Sequence, residues 1–212
     1  RPIVTGVIEN PRLILIIAIL LLLLSLLISI KALNYMVALH LFLGAFVYVV
    51  IYTVWLKRRS WLNIIIGGLA GSFAVLAGGA SSRPELCLPP VLLAIIMFFW
   101  TPSHFWSFAI VHREEYEKAG IPMLPVLIGD SRTAVYILLN TTLLVGTSLL
   151  PYLLGYLGAI YLTVAIGVGA FFIIRNIQLL FNTTQDMAWK NFKASMVYLG
   201  VLFVGVIVDI GI

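Results

Sequence analysis

Charge is what this sequence has least of. Only 10% of its 212 residues are Asp, Glu, Lys or Arg, against roughly 25% in an ordinary soluble domain. Hydrophobic residues make up 62%, and the mean hydropathy is +1.13. A water-soluble fold of this length cannot hide so much apolar surface, which excludes a soluble domain. The same composition excludes a disordered chain and a collagen. Cys87 is the one cysteine, so there is no internal disulfide and the redox compartment is unreadable. The net charge of +5 reads as loop charge on an integral membrane protein rather than as a nucleic-acid footprint. Heptads, repeats and a soluble domain are also missing.

What is present is long uncharged runs. A membrane helix needs about 20 apolar residues to cross roughly 30 Å of hydrocarbon. The run from Thr133 to Ile174 has 42 residues and would be about 63 Å long as one helix, twice the bilayer. It is read as two helices, with Pro151, Gly155 and Gly158 marking the hairpin. The resulting expectation is an all-α integral membrane protein of seven transmembrane helices forming one domain over residues 1–212. The spans fall at about 13–31, 36–56, 62–82, 89–111, 133–153, 156–178 and 192–211.

Seven crossings sort the loops onto two sides. One side carries Arg1, Arg12, Lys57, Arg58, Arg59, Arg113, Lys118, Arg132, Arg175, Lys190 and Lys193; the other carries Lys31 and Arg83. Eleven cations against two place loops 57–61 and 112–132 in the cytoplasm by the positive-inside rule.

Four segments carry chemistry. Lys57-Arg58-Arg59 either anchors the topology or holds a diphosphate or anionic lipid. Gly67, Gly68 and Gly71, followed by Gly78 and Gly79, either let helices approach closely or leave room for a ligand. The run Trp100-Thr-Pro-Ser-His-Phe-Trp106 sets Pro102, a kink former, beside His104. An imidazole deep in an apolar span is costly and suggests function, although a bond to a neighbouring helix would also satisfy it. His40, near its span's end, reads as structural. In the fourth segment Glu114, Glu115 and Glu117 crowd the mouth of the His104 helix, either as Mg²⁺ ligands or as a solvated loop with local ion pairs. Glu115 follows His104 by 11 residues. On a continuous helix the two would share a face about 16 Å apart, which suits a long amphipathic substrate.

These segments, in this order, resemble the UbiA-type intramembrane prenyltransferases, and within them the haem-farnesylating branch. The resemblance rests on Leu56-Lys-Arg-Arg-Ser60, Ile66 to Gly71, Trp100 to Trp106, Glu115-Tyr116 and Gly120-Ile-Pro-Met-Leu-Pro-Val126, with weaker matches at Arg1-Pro2, Ala188-Trp189 and Tyr198 to Asp209. It implies a helical bundle around a central cavity. The implied reaction transfers a farnesyl group from farnesyl diphosphate to a vinyl group of haem B, with water added, giving haem O. It implies Mg²⁺ and basic groups on the diphosphate: Lys57, Arg58 and Arg59, helped by Arg113 and Lys118. His104 falls to the haem, Glu115 and Tyr116 to the catalytic mouth, and Glu114 and Glu115 to the metal.

The family has nine helices and an acidic motif before its third helix. The resemblance therefore places two helices and the main metal motif upstream of Arg1, and implies that residues 1–212 alone do not make haem O. Relatives acting on aromatic substrates carry a second Asp-xxx-Asp motif where this sequence reads His112-Arg-Glu-Glu-Tyr116. A prokaryotic cell membrane is expected rather than a mitochondrial one, with haem A synthase or terminal oxidase assembly as partners. The alternatives are a prenyltransferase for a quinone or lipid precursor, and a non-enzymatic transporter or assembly subunit.

Overall fold

The computed structural model describes residues 10–211. The weak match at Arg1-Pro2 and the Arg1 cation lie outside the described residues. Seven helices are long and apolar enough to cross a membrane: α1 (Arg12–Ala32), α2 (Tyr35–Leu56), α3 (Asn63–Ala80), α4 (Leu88–Val111), α5 (Asp130–Leu153), α6 (Ala159–Phe181) and α7 (Gln185–Gly211). No strand occurs among the described residues.

Local chemistry sets the helix ends. Asn10 accepts the Leu13 N–H before α1, and Pro11 follows where a missing N–H costs nothing. Asn34 accepts from the Met36 and Val37 N–H groups at 3.0 and 3.1 Å. Its amide donates 2.7 Å to the Ala80 carbonyl, which ties the start of α2 to the end of α3. Between α5 and α6 the chain turns at Gly155, whose φ of +74° favours glycine. There Gly155 N–H donates to Tyr152 and Tyr156 N–H to Pro151, the paired bonds of a Schellman stop. Asp209, near the end of α7, accepts the N–H groups of Gly158 and Tyr161 and so caps α6 from another helix.

The hairpin glycine and proline lie where the sequence places them, but three features differ from expectation. Helix α7 starts at Gln185, not 192, because it runs out of the apolar zone with a Lys190–Asp186 pair one turn apart. Helix α2 changes winding at Val47: Val47–Leu56 is a π-helix, in which Lys57 N–H reaches back five residues to the Tyr52 carbonyl. The segment 112–132 is not open loop. It contains helices Arg113–Lys118 and Leu124–Ile128, and Ile121, Met123, Leu124 and Pro125 are buried.

Small residues set helix spacing. A Cβ on Gly68 would lie 3.1 Å from Thr101, one on Gly71 3.1 Å from Met97, and one on Gly79 2.3 Å from Pro90. These three pack α3 onto α4. Gly67 instead faces the Tyr52 ring, and Gly78 faces open space. Helices α4 to α7 are joined by a buried polar ring. Ser103 and Thr141 hydroxyls meet at 2.8 Å, Thr141 donates to Asn176, Asn176 to Asn191, Asn191 to Ser107, and Ser107 to the Ser103 carbonyl. Asn140 adds bonds to Ser103 Oγ and to the Phe99 carbonyl, close to Pro102, which lies inside the continuous helix α4. His40 bonds the Met36 carbonyl of its own helix at 2.8 Å, in accord with its structural reading.

Candidate active site

A cluster of buried apolar residues draws three regions to one end of the bundle. Ile64 of α3, Trp106 and Ile110 of α4, Ile121, Met123 and Leu124 of the connecting segment, Leu179 of α6 and Ala188 of α7 belong to it, and Tyr52 and Tyr116 pack against it. The cationic end of α2, the 112–129 segment and the α6–α7 turn are therefore neighbours.

Lys57 is half-buried and holds its ammonium 5.7 Å over the Tyr52 ring. Arg58 and Arg59 are exposed and form no ion pair among the described residues. Buried Asn63 fixes this helix end by donating 3.3 Å to the Lys57 carbonyl. Beneath it lies a small hollow of about 110 Å³ lined by Tyr48, Tyr52, Ile64, Gly67, Thr101 and Phe105.

At the same end of the bundle, helix α4 stops. His112 takes φ −107° and ψ 26°, and a new short helix begins at Arg113. The single helix that would set Glu115 on the face of His104 is broken at this turn, which corrects the expected registry. Glu115 still lines a hollow of about 250 Å³ with Phe108, His112, Tyr116, Ala119 and Ile121. The segment ends in another Schellman stop at Gly120, φ +63°, where Ile121 N–H returns to the Tyr116 carbonyl.

Most ionisable residues of this mouth are already engaged. Glu115 meets His112 at 3.2 Å, Glu114 meets Lys118 at 3.7 Å, and Arg113 meets Asp130 at 3.6 Å. Glu114 and Lys118 are each more than three-quarters exposed, so their pairing is of little energetic weight. Among the described residues no three His, Cys, Asp or Glu side chains gather as a metal site. Mg²⁺ on a diphosphate is held through one or two carboxylates together with phosphate oxygens and water, and Glu114 and Glu115 would exchange their present partners, Lys118 and His112, to serve it.

An aromatic track runs inward from the mouth. His112 packs on Phe108 at 4.3 Å, and Phe108 on Phe192 at 5.3 Å. Phe192 stacks on Trp189 at 5.0 Å and on His104 at 4.4 Å; Trp100 stacks on His104 at 4.2 Å. Both near-parallel partners of His104 are within stacking distance, so they occupy its two opposite faces. Phe105 meets the ring edge-on. Only the edges of the imidazole remain for chemistry, and Nδ1 lies 2.7 Å from Ser195 Oγ. Phe192, Ser195 and the polar ring escaped the sequence reading. The available signal was polar residues four apart in apolar helices, Ser103 with Ser107 and Asn191 with Ser195, which mark one face.

An α-helical, multi-pass membrane fold of this kind is shared by a known class. The profile of the UbiA prenyltransferase family matches residues 1–201, and the chain belongs to that family. It is 53% identical over 209 residues to a protein named protoheme IX farnesyltransferase 1 from Paramagnetospirillum magneticum, covering 99% of this chain and 74% of that protein. It is 46% identical to another of that name from Cenarchaeum symbiosum, covering 84% of this chain and 60% of that one. Among solved structures, a digeranylgeranylglyceryl phosphate synthase superposes with a TM-score of 0.76 at 22% identity, over 91% of this chain and 67% of that one. That last likeness is one of fold.

Proposed function

We propose that this chain carries the transfer of a farnesyl group from farnesyl diphosphate to a vinyl group of haem B, with water added, to give haem O and diphosphate. The observation that carries this reading is the 53% identity across nearly the whole chain to a protoheme IX farnesyltransferase. The geometry supports a division of labour within it. Arg58 and Arg59, free of carboxylate partners among the described residues, are the diphosphate contacts, with Lys57 above Tyr52 as the third cation. Electrostatic stabilisation of a departing diphosphate requires such donors in place beforehand. Arg113 and Lys118 are weaker helpers, since each already has a carboxylate neighbour. Glu115 and Tyr116 shape the mouth, and His104 meets the haem deeper in the aromatic track. Glu114 and Glu115 are the carboxylates that would hold Mg²⁺ on the diphosphate, and no step is routed through the ion.

We place the cation-rich end in the cytoplasm of a prokaryotic cell, on the loop-charge asymmetry. Haem A synthase or terminal oxidase assembly would then receive the product. Acceptor choice tests the proposal. The 209 matched residues replace the corresponding stretch of the Paramagnetospirillum relative, and the chimaera is offered farnesyl diphosphate with haem B or with a quinone precursor. Haem O is the expected product; prenylation of the quinone precursor alone would overturn the proposal.

A further inference from the structure

Among the described residues Ser195 makes the one polar contact of His104, and its own hydrogen bond decides which imidazole nitrogen carries the proton. Ser195 Oγ lies 2.6 Å from the Phe192 carbonyl, one helical turn earlier. Two oxygens that close repel unless a hydrogen lies between them, and the hydroxyl has only one. That hydrogen is therefore directed at Phe192. At the second short contact, 2.7 Å to His104 Nδ1, the hydroxyl can only accept. Nδ1 must then bear the hydrogen, and in the neutral ring Nε2 is left with a lone pair.

The surroundings hold this arrangement. Ser195 is fully buried, and its backbone carbonyl accepts the Trp100 indole N–H at 2.7 Å. Trp100 in turn covers one face of His104, and Phe192, whose carbonyl orients the hydroxyl, covers the other. Helix α7 thus sets both the plane and the tautomer of a ring borne on α4. Nε2 makes no hydrogen bond among the described residues, and it is not one of the sealed polar atoms left without a partner.

The geometry points to Ser195 as a positioning residue that locks His104 in the Nδ1–H tautomer and presents Nε2 as an iron or acceptor-facing lone pair. This rests on the reading of His104 as the haem contact. Histidines that ligate metals commonly donate their other N–H to an oxygen, which fixes ring orientation and tautomer.

Tautomer and haem binding are read separately. The chain, labelled with ¹⁵N only at its three histidines, is reconstituted in lipid nanodiscs without haem, and His104 is assigned from a His104→Ala difference spectrum. The ¹⁵N shifts should show protonated Nδ1 and bare Nε2. Ser195→Ala should lose that preference, and Ser195→Thr, which keeps a hydroxyl, should restore it. A protonated Nε2 in the parent chain, or the same tautomer after Ser195→Ala, would overturn the inference. Haem B titration of the same samples should show binding weakened about 10–100-fold by Ser195→Ala and rescued by Ser195→Thr. Unchanged haem binding in His104→Ala would defeat the haem-contact reading while leaving the tautomer result standing. Haem binding lost in His104→Ala beside an unaltered tautomer in Ser195→Ala would defeat only the role of Ser195.

Discussion

Asp209 of α7 caps the N-terminus of α6, with its two carboxylate oxygens accepting the N–H groups of Gly158 and Tyr161. Opposite ends of a 51-residue stretch are joined by one side chain, at the end of the bundle away from the proposed site. A carboxylate there also faces the positive end of the helix dipole. Asp209→Ala should lower the stability of the α6–α7 pair by about 1 kcal/mol, and Asp209→Asn by less. Denaturant titration in micelles, followed by far-UV circular dichroism, measures it. Equal stability of Asp209→Ala and parent would remove the cap from the account.

The two adjacent glycines of α3 should respond in opposite ways. Gly79→Ala drives a Cβ within 2.3 Å of Pro90, whereas Gly78→Ala meets nothing within 4 Å. Overpacking of this kind costs about 1–3 kcal/mol, while alanine at a free helical position gains about 0.5–1 kcal/mol over glycine. Thermal midpoints of the two variants should fall on either side of the parent.

The polar ring across α4 to α7 should show coupling. Asn176 and Asn191 are both buried and bonded to each other at 3.2 Å. Interhelical hydrogen bonds in membrane proteins average about 0.6 kcal/mol by double-mutant cycle. A cycle of Asn176→Ala and Asn191→Ala should give a coupling of about that size or larger, since each also bonds a second ring member. Strict additivity would show that the ring does not act as a unit.

The native Cys87 provides a topology reporter. It lies between α3 and α4, at the opposite end of the bundle from the 112–129 segment. In intact cells an impermeant maleimide should label Cys87. It should leave a cysteine at Glu117, introduced together with Cys87→Ser, unlabelled until the cells are lysed. The reverse pattern would invert the proposed orientation.

The seven spans were legible because hydrocarbon thickness translates directly into run length, and no charge interrupts the middle of any of them. The hairpin at Pro151 to Gly158 was legible for a similarly local reason: proline and glycine restrict the backbone wherever they occur. The π-winding of Val47–Leu56 was not, since its apolar run fits an α-helix equally well. The His104–Glu115 registry failed at one residue, His112, whose φ of −107° and ψ of 26° end the helix, and no local helix-breaking residue there announces the stop. His104 itself stood out as an ionisable group in an apolar span. Its partners Ser195 and Phe192 did not, because they lie about 90 residues away and small hydroxyls are ordinary in membrane helices.

The most direct test of the account is whether the two proposed ends of the site separate kinetically in the haem O-forming chimaera. Arg58→Gln with Arg59→Gln removes charge-assisted contacts worth roughly 1.5–3 kcal/mol each. The account predicts a KM for farnesyl diphosphate raised at least tenfold, with that for haem B unchanged. His104→Ala should do the converse, lowering haem use while sparing the KM for farnesyl diphosphate. Haem O formation by mass spectrometry at varied concentrations of each substrate gives both numbers. Unaltered farnesyl diphosphate kinetics in the arginine variant, together with unaltered haem kinetics in His104→Ala, would contradict the assignment of both ends.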